Sequence, residues 1–176
     1  MRIRPAKWDD AAGIARMHVS SWQTSYPGII PQHFLDTLSV ERRTESWQHI
    51  LSDENTEVVL VAEADDGEIL GFVSGGKERE SVPGYDGELY AIYLLKDAQG
   101  KGIGYQLFKK FVKALTERGY NNMVLWVFRD NRVARQFYEN LGGQLLAQKT
   151  LTIAQKDVVE VAHGWKDIKG WLIKQG

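Results

Sequence analysis

The chain contains no cysteine among its 176 residues. Disulfides, thiolate metal sites and a cysteine nucleophile are therefore excluded together. An excess of charge of one sign is also missing, because 22 lysines and arginines nearly balance 23 aspartates and glutamates. This balance gives no support to a nucleic acid or an anionic membrane as a partner.

Long apolar runs are absent as well. No run approaches the roughly 18 residues that span a bilayer, and the first residues lack the apolar core of a signal peptide. We therefore expect a soluble, cytoplasmic protein with no membrane partner. The length suits one domain, covering residues 1–176.

Metal ligands and a serine nucleophile lack their usual patterns. The four histidines (His18, His33, His49 and His163) show no HxxH or HxxxH spacing. Ser74 lies among glycines, but not in the Gly-x-Ser-x-Gly pattern of serine hydrolases. We expect no metal site and no serine hydrolase chemistry.

The periodicity of apolar residues predicts a mixed α/β fold. Helical spacing dominates the first 52 residues, and strand-like and helical segments alternate after them. The predicted strands are Arg2–Lys7, Glu57–Glu63, Glu68–Ser74, Glu88–Leu95, Met123–Phe128, Gln144–Ile153 and Asp157–His163. The segment Gly75–Gly87 carries Pro-Gly and Asp-Gly pairs and predicts a loop.

The order of elements in the middle of the chain predicts the sheet topology. A strand, a helix (Ile103–Leu115), a strand and a second helix follow one another, which requires a parallel pair with a right-handed crossover. The flanking hairpins are antiparallel. We predict a twisted mixed sheet with a central parallel pair and helices on both faces.

A glycine-rich segment lies between the strand Glu88–Leu95 and the helix after it. Residues 99–104 read Gln-Gly-Lys-Gly-Ile-Gly. A strand that turns through glycines into a helix presents unpaired amides and the positive end of the helix dipole, which together favour phosphate. The segment therefore predicts a phosphorylated cofactor.

Two nucleotide loops do not match. The dinucleotide fingerprint requires a glycine where Tyr105 stands, five residues after Gly100. Gly71–Lys77 has Walker-like glycine spacing, but Glu78 occupies the place of the metal-binding hydroxyl. What remains is a Gln-x-x-Gly-x-Gly pattern after a strand.

A second motif follows the strand Met123–Phe128. Residues 131–142 match Asn-x-x-Ala-x-x-Phe-Tyr-x-x-x-Gly. The two motifs, in this order and on these elements, resemble the signatures of the GCN5-related N-acetyltransferases, the GNAT family. The resemblance covers about Glu57–Gly143 and implies acetyl-CoA as cosubstrate.

The resemblance also implies a set of coenzyme contacts. Main-chain groups of the glycine loop would hold the pyrophosphate, and an edge of the preceding strand would bind the pantetheine arm. The Leu94 N–H would polarise the thioester carbonyl. The implied cofactor-binding residues are Ile92, Tyr93, Leu94, Gln99, Gly100, Lys101, Gly102, Ile103, Gly104 and Asn131.

The resemblance places a general acid at Tyr138, because a phenol can protonate the departing thiolate while staying neutral at rest. The alternative is a boundary core tyrosine. Some family members carry a carboxylate as general base where this chain has Trp126. Glu88 is the replacement that we predict, acting directly or through water. Its alternative is a solvated carboxylate at a strand end.

The acceptor pocket is expected to come from the first helices and the Gly75–Gly87 loop. Trp22 and Tyr26, four residues apart, are predicted as its walls, with core packing as the alternative. Near the C-terminus, Trp165 and Trp171 are unusually apolar for a tail. They are predicted to cover the sheet or to build a homodimer contact.

These observations favour an acetyl-CoA-dependent N-acetyltransferase that transfers the acetyl group directly to a primary amine in a ternary complex. The acceptor is expected to be a small molecule. The alternatives are acetylation of a protein N-terminus or lysine, a coenzyme A-binding sensor without catalysis, and an α/β interaction module whose glycines are fortuitous.

Overall fold

A computed structural model describes residues 1–52 and 57–175. Seven strands form one sheet: β1 (Arg2–Pro5), β2 (Glu57–Glu63), β3 (Ile69–Lys77), β4 (Gly87–Leu94), β5 (Met123–Phe128), β6 (Gln144–Ile153) and β7 (Lys156–Trp165). The α-helices in the described ranges are α1 (Ala11–Ser25), α2 (Gln32–Asp36), α3 (Val40–Ser52), α4 (Ile103–Glu117), α5 (Arg132–Asn140) and α6 (Ile168–Lys174). None of these helices is long and apolar enough to cross a bilayer.

The strands lie in the order β1-β2-β3-β4-β5-β7-β6. Only β4 and β5 are parallel among these neighbours, and the remaining pairs are antiparallel. Helix α4 makes the crossover between the parallel strands. The predicted mixed sheet with a central parallel pair is confirmed.

The parallel strands separate soon after they begin. Residues Gly87–Leu89 of β4 pair with Met123–Leu125 of β5, and the pairing stops there. Beyond that point β4 continues to Leu94 and β5 to Phe128. Because neither strand has a partner on that side among the described residues, the centre of the sheet opens into a cleft.

Helices cover both faces of the sheet, as predicted. On the face that we call the front, α1 and α3 bury Ile14, Met17 and Trp47 against Val61 and Phe72. On the back, the apolar stripe of α4 packs on the other side of the same strands. The stripe consists of Leu107, Phe108, Phe111, Val112 and Leu115.

The predicted loop over Gly75–Gly87 is too long. Strand β3 runs on to Lys77, so that Gly75 pairs with Leu89 and Gly76 with Glu88. A Cβ atom on Gly75 would overlap the Glu88 carbonyl and the Phe111 ring. The glycine is therefore used for close packing inside the sheet, and only residues 78–86 form the connection.

The apolar C-terminal residues pack against the same chain. Trp165 belongs to β7 and is 5% exposed, rather than lying in a tail. The indole N–H groups of Trp165 and Trp171 both donate to the Leu141 carbonyl, at 2.9 and 2.7 Å. Helix α6 thus covers the back of the sheet, and a homodimer contact stays an untested prediction.

Candidate active site

A cavity of about 900 Å³ occupies the cleft between β4 and β5. Its walls come from the C-terminal half of α1, the free edges of β4 and β5, the glycine loop, and helix α5. Strands β6 and β7 close it with Leu151, Ile153 and Glu160. The separation of two parallel strands therefore creates the candidate site.

The glycine loop enters α4 through two left-handed residues. Gly100 has φ of +72° and Gly102, the N-cap of α4, has φ of +77°. Side chains are strained in this region, so glycine is required by conformation at both positions. Gln99, Gly100, Gly102 and Gly104 all line the cavity.

The loop leaves amide donors available at the start of α4. The Gln106 N–H donates to the Gly102 carbonyl at 3.1 Å, so Ile103, Gly104 and Tyr105 precede the first helical hydrogen bond. The Ile103 side chain is buried in the core, and Lys101 is exposed outside the cavity lining. Neither Lys101 nor Ile103 is among the residues that line the cavity.

The free edge of β4 borders the cavity with Ile92, Tyr93 and Leu94. The Leu94 carbonyl accepts hydrogen bonds from Ser21 Oγ at 3.5 Å and Gln99 Nε2 at 3.4 Å. These contacts tie the end of β4 to helix α1 and to the glycine loop. The predicted pantetheine strand and the predicted pyrophosphate loop therefore border one cavity.

Helix α5 contributes Asn131 and Tyr138. Asn131 caps the helix by accepting the Ala134 N–H at 3.2 Å, and it also lines the cavity. Tyr138 is 7% exposed, and its hydroxyl has no hydrogen-bond partner within residues 1–52 and 57–175. Burial, with a contribution from Tyr93, raises the pKa of Tyr138, so the phenol keeps its proton at neutral pH.

The predicted acceptor walls, Trp22 and Tyr26, are in contact with strand β4. Trp22 Nε1 donates to Tyr93 Oη at 3.0 Å, and Tyr26 Oη lies 3.0 Å from the same atom. Phe128 completes the group, with its ring perpendicular to that of Tyr26 at 4.9 Å. Trp22 and Tyr26 line the cavity and pack in the core at the same time.

Comparison with known proteins agrees with this geometry. The sequence model of the Acetyltransferase (GNAT) family matches residues 17–143. An uncharacterized N-acetyltransferase of Bacillus subtilis, YuaI, is 36% identical over 94% of this chain and 93% of its own length. The chain belongs to the GNAT family.

The chain is also similar to a more distant relative and to a solved structure. The spermidine N(1)-acetyltransferase of Thermoplasma acidophilum is 22% identical over 81% of this chain and 87% of its own length. The fold is shared with YncA of Salmonella typhimurium, a putative acetyltransferase whose structure contains acetyl-CoA. The TM-score is 0.72 at 21% identity, covering 96% of this chain and 94% of that one.

The GNAT protein is therefore an acetyl-CoA-dependent N-acetyltransferase, and the predicted family and cosubstrate are confirmed. The structure fits this donor through the left-handed glycines, the free amides at the start of α4 and the open edge of β4. Within the described ranges, no three histidine, aspartate or glutamate side chains cluster as metal ligands.

Glu88, the predicted general base, lies outside the cavity lining. Its carboxylate accepts the backbone N–H of Arg79 at 3.0 Å and two guanidinium N–H groups at 3.3 and 2.9 Å. The side chain is 4% exposed. A buried carboxylate that already accepts three hydrogen bonds is poorly placed to take a proton from a substrate, so the geometry counts against this assignment.

Sequence reasoning missed the contribution of the last two strands. Residues 75–87, predicted to help form the acceptor pocket, do not line the cavity, whereas Leu151, Ile153 and Glu160 do. Glu160 interrupts the apolar run Val158–Ala162. A carboxylate within an otherwise apolar strand was the signal available in the sequence, but the strand's place beside β5 was needed to interpret it.

Proposed function

We propose that this GNAT enzyme acetylates a primary amine of a small molecule by direct transfer from acetyl-CoA. One observation carries the proposal: a single cavity is bordered by the glycine loop, by Tyr138 and by the aromatic side chains Trp22 and Tyr26. Donor and acceptor can then bind side by side in one cavity. The acetyl group can pass directly between them, so no acyl-enzyme is required.

The donor half of the site is assigned to the loop and to β4. The amides from Gly100 to Gly104 and the dipole of α4 favour the pyrophosphate, while Ile92, Tyr93 and Leu94 offer the strand edge. When bound, acetyl-CoA supplies a thioester carbonyl carbon for the amine to attack. A backbone N–H fixed by β4, assigned to Leu94, stabilises charge on that carbonyl oxygen.

Tyr138 is assigned as the general acid. Its hydroxyl makes no hydrogen bond with another described residue, and burial raises the pKa of Tyr138. The phenol is therefore protonated and available when the thiolate departs. Asn131 is assigned to hold the start of α5, and with it the position of Tyr138 two turns later.

The size and lining of the cavity support a small acceptor. A volume of about 900 Å³ lies within the range of small-molecule and cofactor sites, and the acceptor side is largely aromatic. The relative from Thermoplasma acidophilum is named for a small amine, spermidine. These observations support a compact amine rather than a protein chain.

The test is release of free thiol from acetyl-CoA in the presence of a broad panel of small amines. Tyr138→Phe should lower turnover by about 10²-fold and leave coenzyme A affinity, measured by calorimetry, nearly unchanged. Tyr120→Phe is the matched control, since Tyr120 packs in the core away from the cavity. It should keep wild-type turnover.

Three results would contradict the proposal. Coenzyme A binding without turnover of any amine would favour the sensor. Turnover confined to peptides would favour protein acetylation. Calorimetry without heat, together with no thermal stabilisation by coenzyme A, would remove the cofactor assignment altogether.

A further inference from the structure

Glu160 is the one charged side chain among the cavity-lining residues that the structure describes. It lies on β7, directly opposite Phe128 of β5, on the sheet face that also carries Trp126. Its side chain is 19% exposed. A carboxylate therefore stands at the aromatic side of the cavity, in partial contact with solvent.

Lys149 holds this carboxylate in place from the neighbouring strand. Its Nζ lies 3.6 Å from Glu160 Oε2 and 3.0 Å from Glu80 Oε2, and it stacks over the Trp126 ring at 4.2 Å. Register pairs Lys149 with Glu160 across β6 and β7. At 3.6 Å the lysine contact is long, so the carboxylate of Glu160 keeps acceptor capacity toward the cavity.

We propose that Glu160 binds the ammonium group of the acceptor and removes its proton, and that it selects amines that carry no acidic group. The inference rests on the proposed function and names its general base and its substrate class. It moves the general base from Glu88, whose oxygens are occupied by Arg79, to a carboxylate inside the cavity.

The proton balance is simple. An N–H bond of the ammonium breaks, an O–H bond forms on Glu160, and the electron pair stays on nitrogen. That pair forms the new C–N bond as the C–S bond of the thioester breaks, and Tyr138 protonates the sulfur. The acylated nitrogen then loses a second proton, which leaves the neutral amide and restores the neutral phenol of Tyr138. The partial exposure of Glu160 then allows its proton to pass to water.

The same lining argues for the substrate class. Trp22, Tyr26 and Phe128 offer aromatic surface to a hydrocarbon body and to a nearby cation. No lysine or arginine is found among the described residues that line the cavity. A carboxylate on the acceptor would therefore enter the pocket without a cationic partner and close to Glu160, which is unfavourable.

Several charged and titratable groups surround Glu160. Lys149 lies on β6, Glu80 on the connection before β4, Glu88 and Tyr93 on β4, and Tyr26 at the end of α1. Burial raises the pKa of Glu160, with Glu80 and Glu88 acting in the same direction and Lys149 opposing them. A raised pKa brings the carboxylate closer to the basicity required for proton removal.

The first experiment is the pH profile of kcat/KM for an alkylamine with Glu160→Gln. In wild type the profile should be flat from the pKa of Glu160 up to that of the amine. The variant should be about 10²-fold slower at pH 7. Its log(kcat/KM) should rise with pH with a slope of one up to about pH 10, where the amine loses its proton unaided. A purely structural role would not change the slope.

Two further variants separate Glu160 from its surroundings. Lys149→Met removes the group that lowers the pKa of Glu160, so the acid limb should move to higher pH. Glu80 also contacts Lys149 but does not line the cavity, so Glu80→Gln should preserve the flat profile. A flat profile in Glu160→Gln, or a slope of one in Glu88→Gln instead, would overturn the inference.

The second experiment compares pentylamine with 5-aminopentanoate, which differ by an acid group at the far end. We expect wild type to prefer pentylamine by at least about tenfold in kcat/KM, and equal use of both would contradict the selection. Failure of the proposed function would look different, since wild type would then acetylate neither amine. Thermal unfolding and coenzyme A calorimetry on each variant show whether fold and donor site are intact.

Discussion

Trp22 Nε1 donates a hydrogen bond of 3.0 Å to Tyr93 Oη. This contact joins helix α1 to strand β4, and both elements line the cavity. Tyr26 lies 3.0 Å from the same hydroxyl, so one oxygen atom links three aromatic side chains. These two walls of the cavity are therefore positioned by a shared polar contact and not by packing alone.

Tyr93→Phe should destabilise the protein, although it removes only one hydroxyl group. The change leaves the Trp22 indole N–H without its acceptor, which costs about 1–3 kcal/mol in the free energy of unfolding. Tyr26→Phe is the control, because it preserves the bond between Trp22 and Tyr93. Urea unfolding should rank the proteins as wild type, Tyr26→Phe and Tyr93→Phe, and a reversed order of the two variants would contradict the linkage.

Gly102→Ala should weaken coenzyme A binding in addition to lowering stability. Gly102 has φ of +77°, where a Cβ atom is strained by about 1–2 kcal/mol, and it shapes the start of α4. Gly119→Ala is the matched control, with φ of +91° and no part in the cavity. Both variants should lose a similar amount of stability by urea unfolding. Calorimetry should show reduced coenzyme affinity in Gly102→Ala alone.

Gly75→Ala should be strongly destabilising, although sequence reasoning placed this glycine in a loop. The added methyl group would overlap the Glu88 carbonyl and the Phe111 ring, which is 0% exposed. Overpacking of this kind costs about 1–3 kcal/mol. A loop position would tolerate the change, so a thermal midpoint equal to that of wild type would show that β3 does not extend through Gly75.

The stability of the protein should fall between pH 7 and pH 5 partly through His18. Burial, with a contribution from Arg43, lowers the pKa of His18 to about 3. Its Nδ1 accepts the Trp47 indole N–H at 3.3 Å, as a neutral imidazole does. The unfolded chain binds a proton below about pH 6.5 whereas the folded chain does not. Stability is therefore lost as pH falls, by about 2 kcal/mol at pH 5.

The measurement is urea unfolding at pH 7 and pH 5. His18→Gln should show a smaller loss than wild type, because glutamine does not titrate and can still accept the Trp47 N–H. His49→Gln, at an exposed position on α3, should keep the wild-type loss. Equal losses in wild type and His18→Gln would show that His18 is not the group responsible.

The family and the conformation of the glycine loop could be predicted from the sequence because their signals are local. The glycines at 100 and 102 are required by the backbone conformation of a single turn, and Asn131 caps the helix that begins at the next residue. Likewise, period-2 and helical spacing predicted the strands and helices around them. Such features depend on neighbours within a few residues, which the sequence states directly.

The carboxylate that lines the cavity could not be predicted in the same way. Glu88 is bound by Arg79, nine residues away, and Glu160 reaches the cavity because β7 inserts beside β5. Which carboxylate is occupied and which faces the cleft depends on contacts between distant segments.

The amino-acid sequence by itself determined the order of elements, the glycine turn before α4 and the phenol on α5, since each follows from short-range periodicity or backbone preference. Tertiary structure alone decided where β4 and β5 part, that Gly75 is packed inside the sheet, and that Glu160 stands among aromatic side chains. Strand order and side-chain burial arise only when segments far apart in the chain pack together, and those contacts decide which side chains line the cleft.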